Sequence, residues 1–149
     1  MAYNENNENE QRAREFFDKG RAKMGAGNIL GASEDFNKAT ELKPDYAEVY
    51  NGRGVAKLIS RDLQGALADF DKAIELEPKN AIFYDNRGFA KHKQEDCQGA
   101  LADFDKAIEL DPDYVPAYEN RSDVYRTLRN YPQSIFDRIR ADWRRKRRT

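Results

Sequence analysis

One cysteine, one histidine and one tryptophan are all that 149 residues hold of those types. A single cysteine, Cys97, excludes an internal disulfide. No spacing of Cys and His suits a metal, and no glycine-rich phosphate loop is present. No apolar run approaches the roughly 20 residues that cross a bilayer. The opening MAYNENNENEQ has no basic start and no apolar run, so it does not read as a secretory signal. The expectation is a soluble cytoplasmic protein without metal or cofactor. Five prolines and nine glycines are few for a turn-rich β protein, which favours helices.

What is present is charge and repetition. Charged residues make up 36% of the chain and hydrophobic ones 39%, well above a disordered composition. The length suits one domain with a buried core. Net charge is −1 but unevenly spread. From Arg138 to Thr149 seven basic residues face one acidic, giving +6 and leaving −7 for residues 1–137.

Residues 64–76 and 98–110 both read QGALADFDKAIEL, an identity over 13 positions at an offset of 34. Residues 30–42, LGASEDFNKATEL, match at eight positions, and Pro44, Pro78 and Pro112 keep the spacing. Ala66, Phe70, Ala73 and Ile74 fall on one helical face, with Asp69 and Lys72 elsewhere. Asn28, Asp62, Asp96 and Asn130 precede the blocks where an N-cap belongs, and the prolines end them.

A second helix lies between the blocks. It starts AREFFDKGRAK (13–23), AEVYNGRGVAK (47–57), AIFYDNRGFAK (81–91) and VPAYENRSDVY (115–125), with an aromatic at Phe16, Tyr50, Tyr84 and Tyr118. Gly20, Gly54 and Gly88 recur four residues later, with Ser122 last. A helical glycine costs about 1 kcal/mol against alanine, so close approach of the partner helix near an aromatic ring is the expected reason. One hairpin cannot bury its own apolar faces, whereas stacked copies can.

These residues resemble the tetratricopeptide repeat. Ala32-x3-Phe36, Ala66-x3-Phe70 and Ala100-x3-Phe104 each precede a proline twelve residues after the alanine. The usual Leu of Leu-Gly is replaced by Lys19, Arg53 and Arg87, and the Tyr by Lys23, Lys57 and Lys91. The resemblance is strong over 13–114 and weak over 115–145. It implies an all-α fold, an α-solenoid of about four helix-turn-helix repeats in a right-handed superhelix. The units read as 13–46, 47–80, 81–114 and a divergent 115–145. They are flanked by an acidic, disordered segment 1–12 and a basic tail 146–149. In the last copy Ser134 and Arg138 replace the alanine and phenylalanine. Its helix shows one apolar stripe, Ile135, Ile139 and Trp143, fitting the polar cap a solenoid needs.

These residues offer little from which to assemble a catalytic site, and no enzyme is expected. Cys97 occupies the apolar slot of Ile29, Leu63 and Tyr131, and a Cys–His nucleophile would need contact with His92. The pairs Asp69/Asp71 and Asp103/Asp105 repeat with the scaffold, as do Arg53, Arg87 and Arg121. An Arg–Asp ladder between helices explains them better than acid–base chemistry.

The resemblance further implies a concave groove lined by the first helices. The groove residues are Phe17, Arg21 and Met24, then Asn51, Val55 and Leu58, then Asn86, Phe89 and His92, then Asn120, Asp123 and Arg126. Amides mixed with apolar surface suit a protein partner's peptide or short helix. The cationic set with which some family members clamp a C-terminal carboxylate is missing, and no small-molecule substrate is expected. The leading reading is a protein–protein interaction adaptor. One alternative is a homo-oligomeric structural protein. Another is nucleic-acid or anionic-surface binding by Arg144, Arg145, Lys146, Arg147 and Arg148, for which a solvated helix end is the plainer account. Nucleic acid and membrane are therefore not the expected partners.

Overall fold

The computed structural model describes the backbone of residues 2–147 and the side chains of 5–130 and 132–147. Eight helices and no strand are found among the described residues. They are α1 (Ala2–Gly25), α2 (Ile29–Leu42), α3 (Ala47–Ile59), α4 (Leu63–Leu76), α5 (Ala81–Lys93), α6 (Cys97–Leu110), α7 (Val115–Thr127) and α8 (Tyr131–Arg147). Successive helices pair as hairpins: α1 with α2, α3 with α4, α5 with α6, α7 with α8. The chain divides into two compact units, one of α1–α4 up to Pro78 and one of α5–α8 from Lys79. Within each unit the second helix of one hairpin packs on the first helix of the next, α2 on α3 and α6 on α7.

Local chemistry sets the boundaries. The Asn28, Asp62 and Asp96 side chains accept the backbone N–H of Gly31, Gly65 and Gly99 at 3.0, 2.9 and 2.9 Å, each satisfying one orphan donor at a helix start. The tight turn inside each hairpin has one left-handed residue, at the same 34-residue spacing: Gly27, Arg61, Glu95 and Arg129. The aromatic of the first helix fixes the turn between hairpins. Tyr50 donates its hydroxyl to the Pro44 carbonyl and Tyr118 to that of Pro112, both at 3.0 Å.

Each core is alanine and phenylalanine. Phe36, Phe70 and Phe104 are fully buried, beside Ala32, Ala39, Ala66, Ala73, Ala100 and Ala107. The recurrent glycine exists for that ring. A Cβ on Gly54 would meet Phe70 Cε1 at 2.6 Å, one on Gly20 would meet Phe36 at 2.7 Å, and one on Gly88 would meet Phe104 at 2.8 Å. Gly54→Ala gains about 1 kcal/mol of helix propensity and loses about 1–3 kcal/mol to overpacking, so a net loss near 1 kcal/mol is expected. Urea unfolding checks this, with Gly25→Ala as the control. No atom lies within 4 Å of a Cβ placed on Gly25, so that variant should lose nothing.

Ion pairs staple the two helices of a hairpin. Arg53 grips Asp69 bidentately (Nε–Oδ2 2.9 Å, NH2–Oδ1 2.7 Å), Arg87 grips Asp103 (2.9 and 2.6 Å), and Arg121 grips Asp137 (2.8 and 2.6 Å). Lys57 and Lys91 reach the same carboxylates at 2.9 and 2.8 Å, and Lys23 stands 2.7 Å from Asp35. The remaining guanidinium nitrogen reaches back one hairpin: Arg53 to Asn37 at 3.0 Å, Arg121 to Asp105 at 2.6 Å. Burial alone would lower the Arg121 pKa, but its hydrogen bonds to Asp137 and Asp105 outweigh that and raise it.

Two expectations are corrected. Residues 2–12 are not disordered: they form the opening turns of α1. Glu10 anchors them, bonded to Arg14 one turn on and to Lys43 at the end of α2, both at 2.9 Å, and the Lys43 bond holds the Glu10 carboxyl below its usual range. Nor does α8 form the polar cap expected of it: its apolar stripe, Ile135, Ile139 and Trp143, is exposed. Ser134, Asp137 and Ala141 are the buried positions, and the serine bonds Ser122 of α7 at 3.0 Å. The 34-residue register decides this, because those three replace the inward-facing Ala100, Asp103 and Ala107. Where the packed phenylalanine is lost, at Arg138, its glycine is lost too, at Ser122.

Candidate functional site

First helices neighbour each other within each unit, α1 beside α3 and α5 beside α7. In the first unit, Phe17 is half-buried against Phe36 (6.0 Å between ring centres) and Tyr46 (5.2 Å). Met24 is half-buried against the cluster that contains Phe36 and Val49. Both therefore also serve the core. Arg21 is exposed, its guanidinium 5.6 Å from the Phe17 ring. Asn51, Val55 and Leu58 of α3 are half-buried.

The second unit carries the better-formed surface. Phe89 is half-buried, packed below on Ala100, Phe104 and Val124, with the Lys93 ammonium 4.9 Å from its ring. His92 lies one turn on, its Nε2 3.2 Å from Thr127 Oγ1. Burial and neighbouring Lys93 hold its pKa below the ordinary value, so it is neutral at pH 7. Arg126 pairs with Asp123 at 3.2 Å. His92, Asp123, Arg126 and Thr127 surround an open depression of about 420 Å³.

The 34-residue register adds a residue that sequence reasoning missed. Positions 17, 51, 85 and 119 are equivalent, whereas Asn86 and Asn120 stand one place further, level with Gly52. Asp85 is buried between α5 and α7. Asn120 donates its amide to both carboxylate oxygens, at 3.0 and 3.2 Å, and the Tyr114 hydroxyl is a further partner. Burial pushes the Asp85 pKa up from 3.8 to about 6, more than those hydrogen bonds lower it. Arithmetic on the repeat was the available signal.

Chemistry elsewhere is used up by structure. Cys97 packs with Ala100, Phe104 and Val124, while His92 faces Thr127. Asp69 and Asp103 are held by arginine and lysine. No group of three or more His, Cys, Asp or Glu able to hold a metal occurs among the described residues.

A tetratricopeptide repeat profile matches residues 17–81 and 90–145. The chain belongs to the tetratricopeptide repeat family. Its fold is shared with solved repeat proteins. MamA superposes with a TM-score of 0.82 at 20% identity, covering 91% of this chain and 80% of its own. The tetratricopeptide domain of Arabidopsis OM64 gives 0.77 at 26% identity, covering 80% and 98%. The first such domain of Spaghetti (RPAP3), solved with an HSP90 peptide SRMEEVD, gives 0.77 at 21%, covering 80% and 94%. No curated protein sequence matches the chain.

In this tetratricopeptide chain the basic tail is partly committed. Arg144 is half-buried, its guanidinium 4.6 Å from the Tyr118 ring and its Nε 3.3 Å from Asp113. Arg145 pairs with Glu119 and, at 3.4 Å, with Asp142. Arg147 stacks on Trp143 at 4.6 Å, and Lys146 is exposed. Arg148 lies outside the described residues.

Proposed function

We propose that the chain is a protein-interaction scaffold that binds a partner's peptide or short helix on its first-helix faces, and that it is not an enzyme. The observation that carries this is the surface of α5 and α7: a half-buried Phe89 beside a depression rimmed by His92, Asp123 and Arg126. An apolar anchor next to a neutral donor–acceptor and an ion pair is what an amphipathic segment needs. The peptide-bound RPAP3 domain supports the reading through its fold. The face of α1 and α3, with Arg21 exposed over Phe17, is the corresponding surface of the first unit.

The test is affinity capture with the whole chain, then titration of the captured protein against Phe89→Glu and His92→Glu. Affinity should fall more than tenfold in both variants while circular dichroism is unchanged. A partner held equally well by both variants rejects the site. In the homo-oligomer reading the chain is its own partner. Light scattering at a constant monomer mass across concentration sinks that reading.

A further inference from the structure

Ile135, Phe136, Ile139 and Trp143 of α8 are 59%, 53%, 61% and 54% exposed. They form one stripe on the side of the helix opposite Ser134, Asp137 and Ala141, the residues buried in the hairpin. The repeat supplies its own control. Where α8 has Phe136, the three earlier second helices have Glu34, Ala68 and Ala102. Where it has Ile139, they have Asn37, Asp71 and Asp105. Where it has Trp143, they have Glu41, Glu75 and Glu109. At these three places the last helix is apolar where its sisters are small or polar, and all three side chains are more than half exposed.

A fifth hairpin does not fit this stripe. α6 meets α7 through Leu101 and Phe104 near Val124, and through Ala107 and Ile108 near Ala117. The equivalent residues of α8 are Ile135, Arg138, Ala141 and Asp142. A helix docked in that manner covers two charged side chains and leaves Phe136 and Trp143 in water.

Charge narrows the occupant. At 100° per residue, Arg140 and Arg147 flank the stripe on one side, Asp142 and then Arg138 on the other, and Lys146 lies at its C-terminal end, so cations outnumber the one carboxylate four to one. Arg140 lies 4.3 Å over the Phe136 ring and Arg147 4.6 Å over Trp143. Among the described residues, no carboxylate is within ion-pair distance of these three arginines. A second copy of α8 would set arginine against arginine. Nucleic acid would satisfy the cations but not two isoleucines. The counter-surface must be anionic at its skin and apolar just beneath. An interfacial helix with aromatic and aliphatic residues on one face and arginines along its borders meets that requirement on an anionic bilayer.

We propose that α8 docks in the plane of an anionic phospholipid bilayer. Ile135, Phe136, Ile139 and Trp143 enter the headgroup–acyl boundary, and Arg138, Arg140 and Arg147 meet lipid phosphates. Among the described residues no helix is long and apolar enough to cross a membrane, so the attachment is peripheral. It leaves the face of α5 and α7 for a protein partner.

Trp143 is the sole tryptophan, so its emission reports this site alone. With vesicles of equal phosphatidylserine and phosphatidylcholine at low salt, its spectrum should shift to shorter wavelength and the protein should sediment with lipid. Phe136→Ala/Ile139→Asp restores residues the earlier copies carry, so its melting should match the parent while vesicle affinity falls at least tenfold. Each of R138Q, R140Q and R147Q should lose about fivefold, the weight of one basic residue at such a surface. No shift with the anionic vesicles overturns the proposal, as does equal binding to pure phosphatidylcholine. A lipid-free shift that tracks a rise in mass assigns the face to self-association and overturns it. A shift with an acidic amphipathic peptide but none with vesicles assigns it to a protein and overturns it equally.

Discussion

Asp103→Ala should cost about 3–5 kcal/mol of stability, the loss typical when one member of a buried ion pair is removed. Asp103 is buried and receives Arg87 through two bonds, at 2.9 and 2.6 Å, and Lys91 at 2.8 Å. Deleting the carboxylate removes the acceptor that Arg87 grips twice and Lys91 once on the core face of α6. Arg87→Met alone should cost less, because Lys91 still neutralises Asp103. The triple variant Arg87→Met/Lys91→Met/Asp103→Leu should recover most of the loss, since apolar replacement of a whole buried ionic group is often neutral or better. Urea unfolding at pH 7, followed by circular dichroism, gives the cycle. A single-variant cost under about 1 kcal/mol would show that the pair decorates the hairpin rather than staples it.

Such a staple was legible as periodic Arg and Asp, and the glycine facing Phe70 was legible as a helical glycine in need of a reason. Both signals survive in sequence because each repeat must solve one packing problem in one way. The two misreadings lie where the period carries no information or is ignored. Residues 2–12 have no apolar stripe, so composition spoke for disorder. Their helix is held by continuity with the buried Ala13 turn and by the Glu10–Lys43 contact, which spans 33 residues of sequence. In α8 the amphipathic pattern fits a polar cap, which would need the stripe inward, yet register gives the inner face to Ser134, Asp137 and Ala141. Hydrophobicity and repeat phase disagree there at Phe136, Ile139 and Trp143 together, and that cluster marks the surface assigned to lipid.

Asp85→Asn should make the protein more stable at neutral pH, by about 2–3 kcal/mol. The Asp85 pKa is near 6 in the fold against an ordinary 3.8, chiefly through burial, and a shift of one unit corresponds to about 1.4 kcal/mol. Between those values the folded state binds more protons than the unfolded one, so stability falls as pH rises from about 4 to 6 and stays low above. No lysine or arginine within ion-pair distance offsets the charge among the described residues. The Tyr114 hydroxyl, its own pKa raised by burial and by Asp85, and the Asn120 amide hold the ionised form only in part. Asparagine keeps an acceptor for Asn120 and adds a donor, without the charge. Thermal melts of parent and variant should therefore diverge by several degrees at pH 7 and converge near pH 4. A variant no more stable at pH 7, or a gap that ignores pH, refutes the assignment of burial as the cause. Asp85 shares its register with Phe17 and Asn51 of the first-helix face proposed to bind the partner, so the same variant also tests whether Asp85 takes part in binding. A variant that melts higher yet binds its captured partner more weakly would separate those two roles in one residue.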